Sequence, residues 1–135
     1  METKPATGSN AGTSITHDLP CIARLALGKK PAWSRQSEDL SINLISCTAG
    51  QGVSRHVNME VDVLMIGIDG EGSVELDGQW YVLRSGQAVV IPKGAKRATR
   101  CDGEHFAYLT CHRNRSGLWP AAHGDSRAIT RGGQS

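Results

Sequence analysis

Between Trp33 and Arg113 the apolar residues come in short runs, each cut off by a pair or triplet that turns the chain: Asp69-Gly70, Asp77-Gly78, Ser85-Gly86 and Pro92-Lys93-Gly94. Turn chemistry at this spacing leaves little room for helices and predicts a series of short strands, hence an all-β barrel or sandwich. The sharpest signal is a hairpin. Residues 73–76 and 79–83 flank Asp77-Gly78, a pair suited to the positive φ angles of a two-residue turn. Residues 40–47 nearly alternate apolar and polar, as expected of a strand with one buried face, whereas residues 61–68 are apolar almost throughout, as expected of a strand covered on both sides. Asp69-Gly70 is expected to interrupt that strand. Residues 87–91, 96–100 and 105–113 read as the remaining strands. Residues 19–27, with Pro20 near the start and Gly28 after the end, read as a short helix or an irregular packed segment.

The chain has 135 residues, enough for one domain with a sizeable core of its own. Residues 17–113 are expected to form that domain. Residues 1–16, nearly devoid of bulky apolar side chains, are expected to form a flexible arm, and residues 114–135, rich in Gly, Ser, Arg and Ala, a tail. With 15 Lys and Arg against 13 Asp and Glu, the net charge of +2 provides no broad basic field, so no nucleic-acid partner is expected. No run approaches the ~18 apolar residues of a membrane span, and the N-terminus has no secretory pattern, so a cytoplasmic protein without a membrane partner is expected. Cys21, Cys47, Cys101 and Cys111 contain no Cys-x-x-Cys pair and are expected to be reduced thiols, mostly buried. Gly67, Gly70 and Gly72 are no dinucleotide fingerprint, because a hairpin and not a helix follows them.

Two glycine-led segments carry a more specific pattern. Gly50-Gln-Gly-Val-Ser-Arg-His56-Val-Asn58 resembles the first motif of the cupin family, a glycine, five residues, then His-x-His, with Asn58 in place of the second histidine. Gly86-Gln-Ala-Val-Val-Ile-Pro92-Lys-Gly94-Ala-Lys-Arg97 resembles the second motif, with Arg97 in place of its histidine. The resemblance implies an RmlC-like double-stranded β-helix, or jelly-roll barrel, and a homodimer that covers exposed strand edges. In metal-binding cupins the ion is held by two histidines and a glutamate of motif one and the histidine of motif two. Carried onto this chain, those positions become His56, Asn58, either Asp62 or Val63, and Arg97.

That set is poor in donors. An amide is a weak substitute for imidazole, and a guanidinium has no lone pair to give and adds positive charge beside a cation. No cofactor is therefore expected. The alternative is a divalent metal (Fe, Mn, Zn or Ni) on a non-standard set of His56, Asn58, Asp62 and Cys101, the last lying four residues beyond Arg97 on the same strand face. His105 and His112, an odd number apart, point to opposite faces of an unbroken strand, with Cys111 beside His105.

The pocket is thus expected to bind a small molecule through His56, Asn58, Asp62, Arg97 and Cys101, with preference for a carboxylate, a phosphate or another polar group that a guanidinium can grip with two hydrogen bonds. Arg97 either anchors that ligand or pairs internally with Asp62 or Glu60. The alternative is an enzyme: a metal-free isomerase or epimerase with His56 as its catalytic acid or base, or an oxygenase-type metalloenzyme with unusual ligands.

Overall fold

A computed structural model describes residues 15–27 and 29–114. Most of the expected arm and tail, including Trp119 and the arginines beyond Arg113, lies outside the described residues. The elements are one helix, α1 (Leu19–Leu25), and seven strands: β1 (Trp33–Gln36), β2 (Leu40–Thr48), β3 (His56–Val57), β4 (Val63–Leu76), β5 (Gln79–Leu83), β6 (Ala88–Ile91) and β7 (Lys96–Arg113). All strand pairings are antiparallel.

The expected all-β jelly roll is present, and its construction depends on two strands longer than the sequence suggested. β4 runs straight through Asp69-Gly70, and β7 joins the two segments that read as separate strands. Both bend instead of ending, and the bend is visible in their pairing as register shifts between Gly67 and Asp69 and between Gly70 and Gly72. A bulge adds a residue on one strand without breaking the ladder, so turn residues here mark a corner and not a terminus. Each long strand therefore serves two sheets. The first half of β4 and the second half of β7 pair with β6 and β2, and β1 lies outside β2. The second half of β4 and the first half of β7 pair with β5 and β3.

Between the two halves lies the core: Cys47, Val61, Val63, Met65, Val74, Leu83, Ile91, Ala95, Cys101, Phe106 and Tyr108. The Tyr108 hydroxyl, carried into this interior by its ring, is satisfied by Thr99 at 3.0 Å. The outer face of the first sheet is apolar as well, because α1 lies on it: Ala23 packs with Leu44 and Ala107, flanked by Leu19, Ile22, Trp33, Ile68 and Leu109. Asp18 caps this helix by accepting from the Cys21 amide at 3.2 Å. The helix ends at Leu25, short of the 19–27 segment. The predicted hairpin forms with Leu76 opposite Gln79, and Asp77 and Gly78 adopt φ of 48° and 92°. No helix among the described residues is long and apolar enough to cross a membrane.

Candidate functional site

Arg97 enters the barrel because period two on β7 places 97, 99 and 101 on one face, and its neighbours across the sheet are Leu76 and His56. It is 1% exposed, the largest fully buried side chain among the described residues. Its hydrogen bonds go to backbone carbonyls: Nε donates to Ala95 O at 3.1 Å and Nη2 to Pro92 O at 3.3 Å. Nη1 is buried without a hydrogen-bond partner. No described carboxylate forms an ion pair with Arg97, so the expected internal partners, Asp62 and Glu60, are not what holds it. Burial pushes its pKa below the ordinary guanidinium value, and the charge of Asp77, which works the other way, does not offset that.

Asn58 lies in the loop between β3 and β4 and is buried. Its Oδ1 accepts from the amides of Glu60 and Val61 at 2.8 and 3.2 Å, a local turn that fixes which end of the side-chain amide points where. Nδ2 is left buried and without a hydrogen-bond partner. The same 92–95 turn holds both residues, since Gly94 N donates to Asn58 O at 2.8 Å while Arg97 donates to the carbonyls on either side of it. His56 is half-buried beside Arg97, and its Nδ1 donates to Ser54 O at 2.9 Å.

Asp62 does not join this group. It is exposed, and Oδ1 accepts from the Lys93 amide at 2.9 Å on the outside of the barrel. Val63, fully buried in the core, takes the inward position that the spacing left open between the two. Cys101 does face inward, but its thiol donates to Gly103 O at 3.2 Å, and burial raises its pKa, with the Gly103 contact lowering it and Asp102 and Glu71 raising it further. His112 is buried, whereas His105 sits at the β4 bend against Asp69, so the two histidines do part as parity required.

The positions at which a metal cupin carries three imidazoles and a carboxylate thus offer one imidazole, an amide held by its oxygen, a valine and a guanidinium. This donor set does not fit a divalent transition metal, which needs several lone pairs at about 2.0 to 2.3 Å. Among the described residues no three His, Cys, Asp or Glu side chains gather as a metal cluster would require.

Comparison with known proteins agrees with the architecture. The model of the cupin domain matches residues 44–112, which run from β2 to the end of β7 and include both glycine-led segments. The chain belongs to the cupin family. Among solved structures, this cupin is similar to a conserved protein of unknown function from Streptococcus pyogenes, with 28% identity and a TM-score of 0.52 over 61% of this chain and 73% of that one. An RmlC-like cupin with a double-stranded β-helix fold from Methanocaldococcus jannaschii is similar at 19% identity and a TM-score of 0.55, covering 64% of this chain and 80% of that one. A protein from Neisseria meningitidis reaches a TM-score of 0.63 at 16% identity, over 75% of this chain and all of the other. These last two likenesses concern the fold alone. No curated protein matches this cupin.

The residues missed by sequence reasoning lie on the outer face of the second sheet. A hollow of about 370 Å³ opens there, lined among others by Val53, Arg55, Glu75, Trp80, Ala98 and Arg100. Glu75 is buried and held by Arg55 through two parallel hydrogen bonds, Nε to Oε1 at 2.9 Å and Nη2 to Oε2 at 2.7 Å. The alternation in Ser73-Val-Glu-Leu76 placed Glu75 on the face opposite Val74, but only the long-range register brings Arg55 over it.

Proposed function

We propose that this cupin binds a small ligand bearing a carboxylate, a phosphate or another strong acceptor inside the barrel, with Arg97 as its anchor and no metal. The observation that carries this reading is the pair of buried donors, Arg97 Nη1 and Asn58 Nδ2, that lack hydrogen-bond partners among the described residues. A buried polar group left unsatisfied costs about 1–3 kcal/mol, and more when it is charged, so such donors call for an acceptor that the described residues do not supply. An anion at Arg97 neutralises a guanidinium that burial disfavours and gains from the dry surroundings.

A second reading has its own observation. The two carbonyl contacts of Arg97 close the 92–95 turn, so the guanidinium could act only as framework. One substitution separates the two. Arg97→Met keeps an unbranched apolar stem in the barrel while removing the cation. Thermal unfolding of wild type and variant is measured with formate, acetate, succinate and inorganic phosphate, since a ligand that binds only the folded state raises its stability by about 2.7 kcal/mol at one hundred times its dissociation constant. The expected outcome is an anion that stabilises wild type and leaves the variant unmoved, with the unliganded variant at least as stable as wild type because an unpaired buried charge has gone. An unliganded variant that is several kcal/mol less stable, together with unchanged anion response, establishes the framework role and ends the anchor proposal. Stoichiometric iron, manganese, zinc or nickel in freshly purified protein would overturn the metal-free part.

A further inference from the structure

We propose a second ligand site, on the outer face of the barrel and separate from Arg97, that takes a small planar carboxylate. The hollow of about 370 Å³ beside β5 is shallow and largely open to solvent, room for a small ligand lying on the sheet. Its geometry follows from the pairing. Ala98 faces outward because Arg97 faces inward; Glu75 lies opposite Ala98 on one side, and Trp80 lies opposite Glu75 on the other. Arg55 precedes His56, the partner of Arg97, and so falls beside Ala98. One row across the sheet therefore reads Arg55, Ala98, Glu75, Trp80, and the small alanine in it leaves the floor of the hollow.

Two guanidiniums border that floor, each already held in place. Arg55 is locked by Glu75, which is 2% exposed and has both oxygens engaged. Arg100 is held by Asp102 at 2.8 Å through Nε and sits over the Trp80 ring, its central carbon 4.2 Å from the centroid. Among the described residues Arg55 Nη1 and Arg100 Nη1 and Nη2 have no hydrogen-bond partner, and the two side chains are 58% and 50% exposed. Fixed forks with spare N–H groups bind a carboxylate at little entropic expense. The loop carrying Arg55 is itself fastened to β7, with Thr99 N donating to Val53 O at 3.0 Å and Cys101 N to Gln51 O at 2.8 Å, so this wall is preformed.

Charge and shape select the ligand class. Arg55 and Arg100 are balanced by Glu75 and Asp102, so the site carries no net charge, and its spare N–H groups suit a single carboxylate better than a multiply charged phosphate. Val53, Ala98 and Trp80 offer an apolar floor and an aromatic wall, which suit a flat hydrocarbon body behind the carboxylate.

Benzoate is the probe, with acetate and inorganic phosphate as comparisons. The readout is the indole N–H resonance of Trp80 in the full-length chain, assigned with Trp80→Phe. Benzoate is expected to shift it saturably and acetate at equal concentration is not. Arg100→Gln, a change at a half-exposed position, is expected to weaken benzoate about tenfold or more, and Arg97→Met to leave it unchanged. The proposal is overturned by a silent Trp80 resonance or by unchanged affinity in Arg100→Gln. Loss of binding in Arg97→Met but not in Arg100→Gln places the probe in the barrel and also overturns it. A phosphate response with the same dependence on Arg100 removes the ligand class, and a Trp80 shift that follows protein concentration alone assigns the face to a second copy of the chain.

Discussion

Arg97 shows how far one residue can be read. Its identity in place of a histidine was plain in the second glycine-led segment, and so was its inward direction, because both follow from local spacing. Its partners were not, since a buried cation accepts carboxylates and carbonyls alike, and only the fold decides which is near. The choice between Asp62 and Val63 was equally closed to the sequence. Parity depends on where a strand begins, and the turn built on Asn58 Oδ1 delays β4 until Val63. Burial was legible for Cys47 and Cys101, whereas Cys21 is exposed and Cys111 only partly buried, so half and not most of the thiols are interior, with a chemical consequence. Desolvation, with a smaller push from Cys101 and an opposing one from Lys30, raises the Cys47 thiol to about 11. At pH 8 it is then almost wholly protonated and has no path to reagent, while Cys21 is exposed. Iodoacetamide labelling followed by peptide mass spectrometry is expected to modify Cys21 first and to spare Cys47 and Cys101 until the protein unfolds. Cys47 labelled as fast as Cys21 would show that the interior is open. The raised pKa also sets a sign: the thiol's contribution to stability is intact below the unfolded-state value of about 8.5 and is lost as pH rises toward about 11.

At the level of elements, the hairpin and most strand positions were legible because alternation and turn chemistry act over a few residues. The continuity of β4 and β7 was not. Asp69-Gly70 and Asp102-Gly103 carry the same signals as true turns, and whether a strand stops or bends at such a pair depends on whether a neighbour continues the ladder past it. Gly72 sits at this corner for a steric reason. A Cβ built there would lie 2.0, 2.2 and 2.4 Å from Cδ2, Cγ and Cε2 of Phe106, whose ring is fully buried and pinned beside Tyr108 at 5.1 Å between centroids. The glycine is thus what lets β4 pass close to β7 at the point where one sheet becomes the other. Gly72→Ala is expected to cost about 3 kcal/mol, as overpacking in a filled core does. In urea the midpoint should fall while the slope stays constant. A midpoint within error of wild type would mean that Phe106 has room to move.

Across the whole molecule, α1, the β4 corner and β7 meet at one carboxylate. Asp69 Oδ2 accepts from Arg24 of α1 at 2.9 Å and from His105 of β7 at 3.1 Å, so a single charge ties the covering helix to the bend that joins the two sheets. Burial alone would raise the Asp69 pKa, but the His105 hydrogen bond and the charges of Arg24 and His105 outweigh it together and bring it below the ordinary value. A carboxyl that is more acidic folded than unfolded stabilises the fold above the unfolded pKa of about 3.9, and that contribution disappears as pH falls through the lower, folded value. Because Asp69 is 23% exposed and Arg24 56%, solvent screens much of the attraction, and about 0.5–1 kcal/mol is the scale to expect. Asp69→Asn should therefore lower stability by that amount at pH 6 to 7, and the difference should fade as pH falls through the lowered, folded value. Because the link runs through α1, the loss should appear first as faster amide exchange in the 19–25 segment, ahead of the barrel strands. Equal destabilisation at pH 7 and pH 2 would assign the effect to packing and not to the charge that fastens helix to corner.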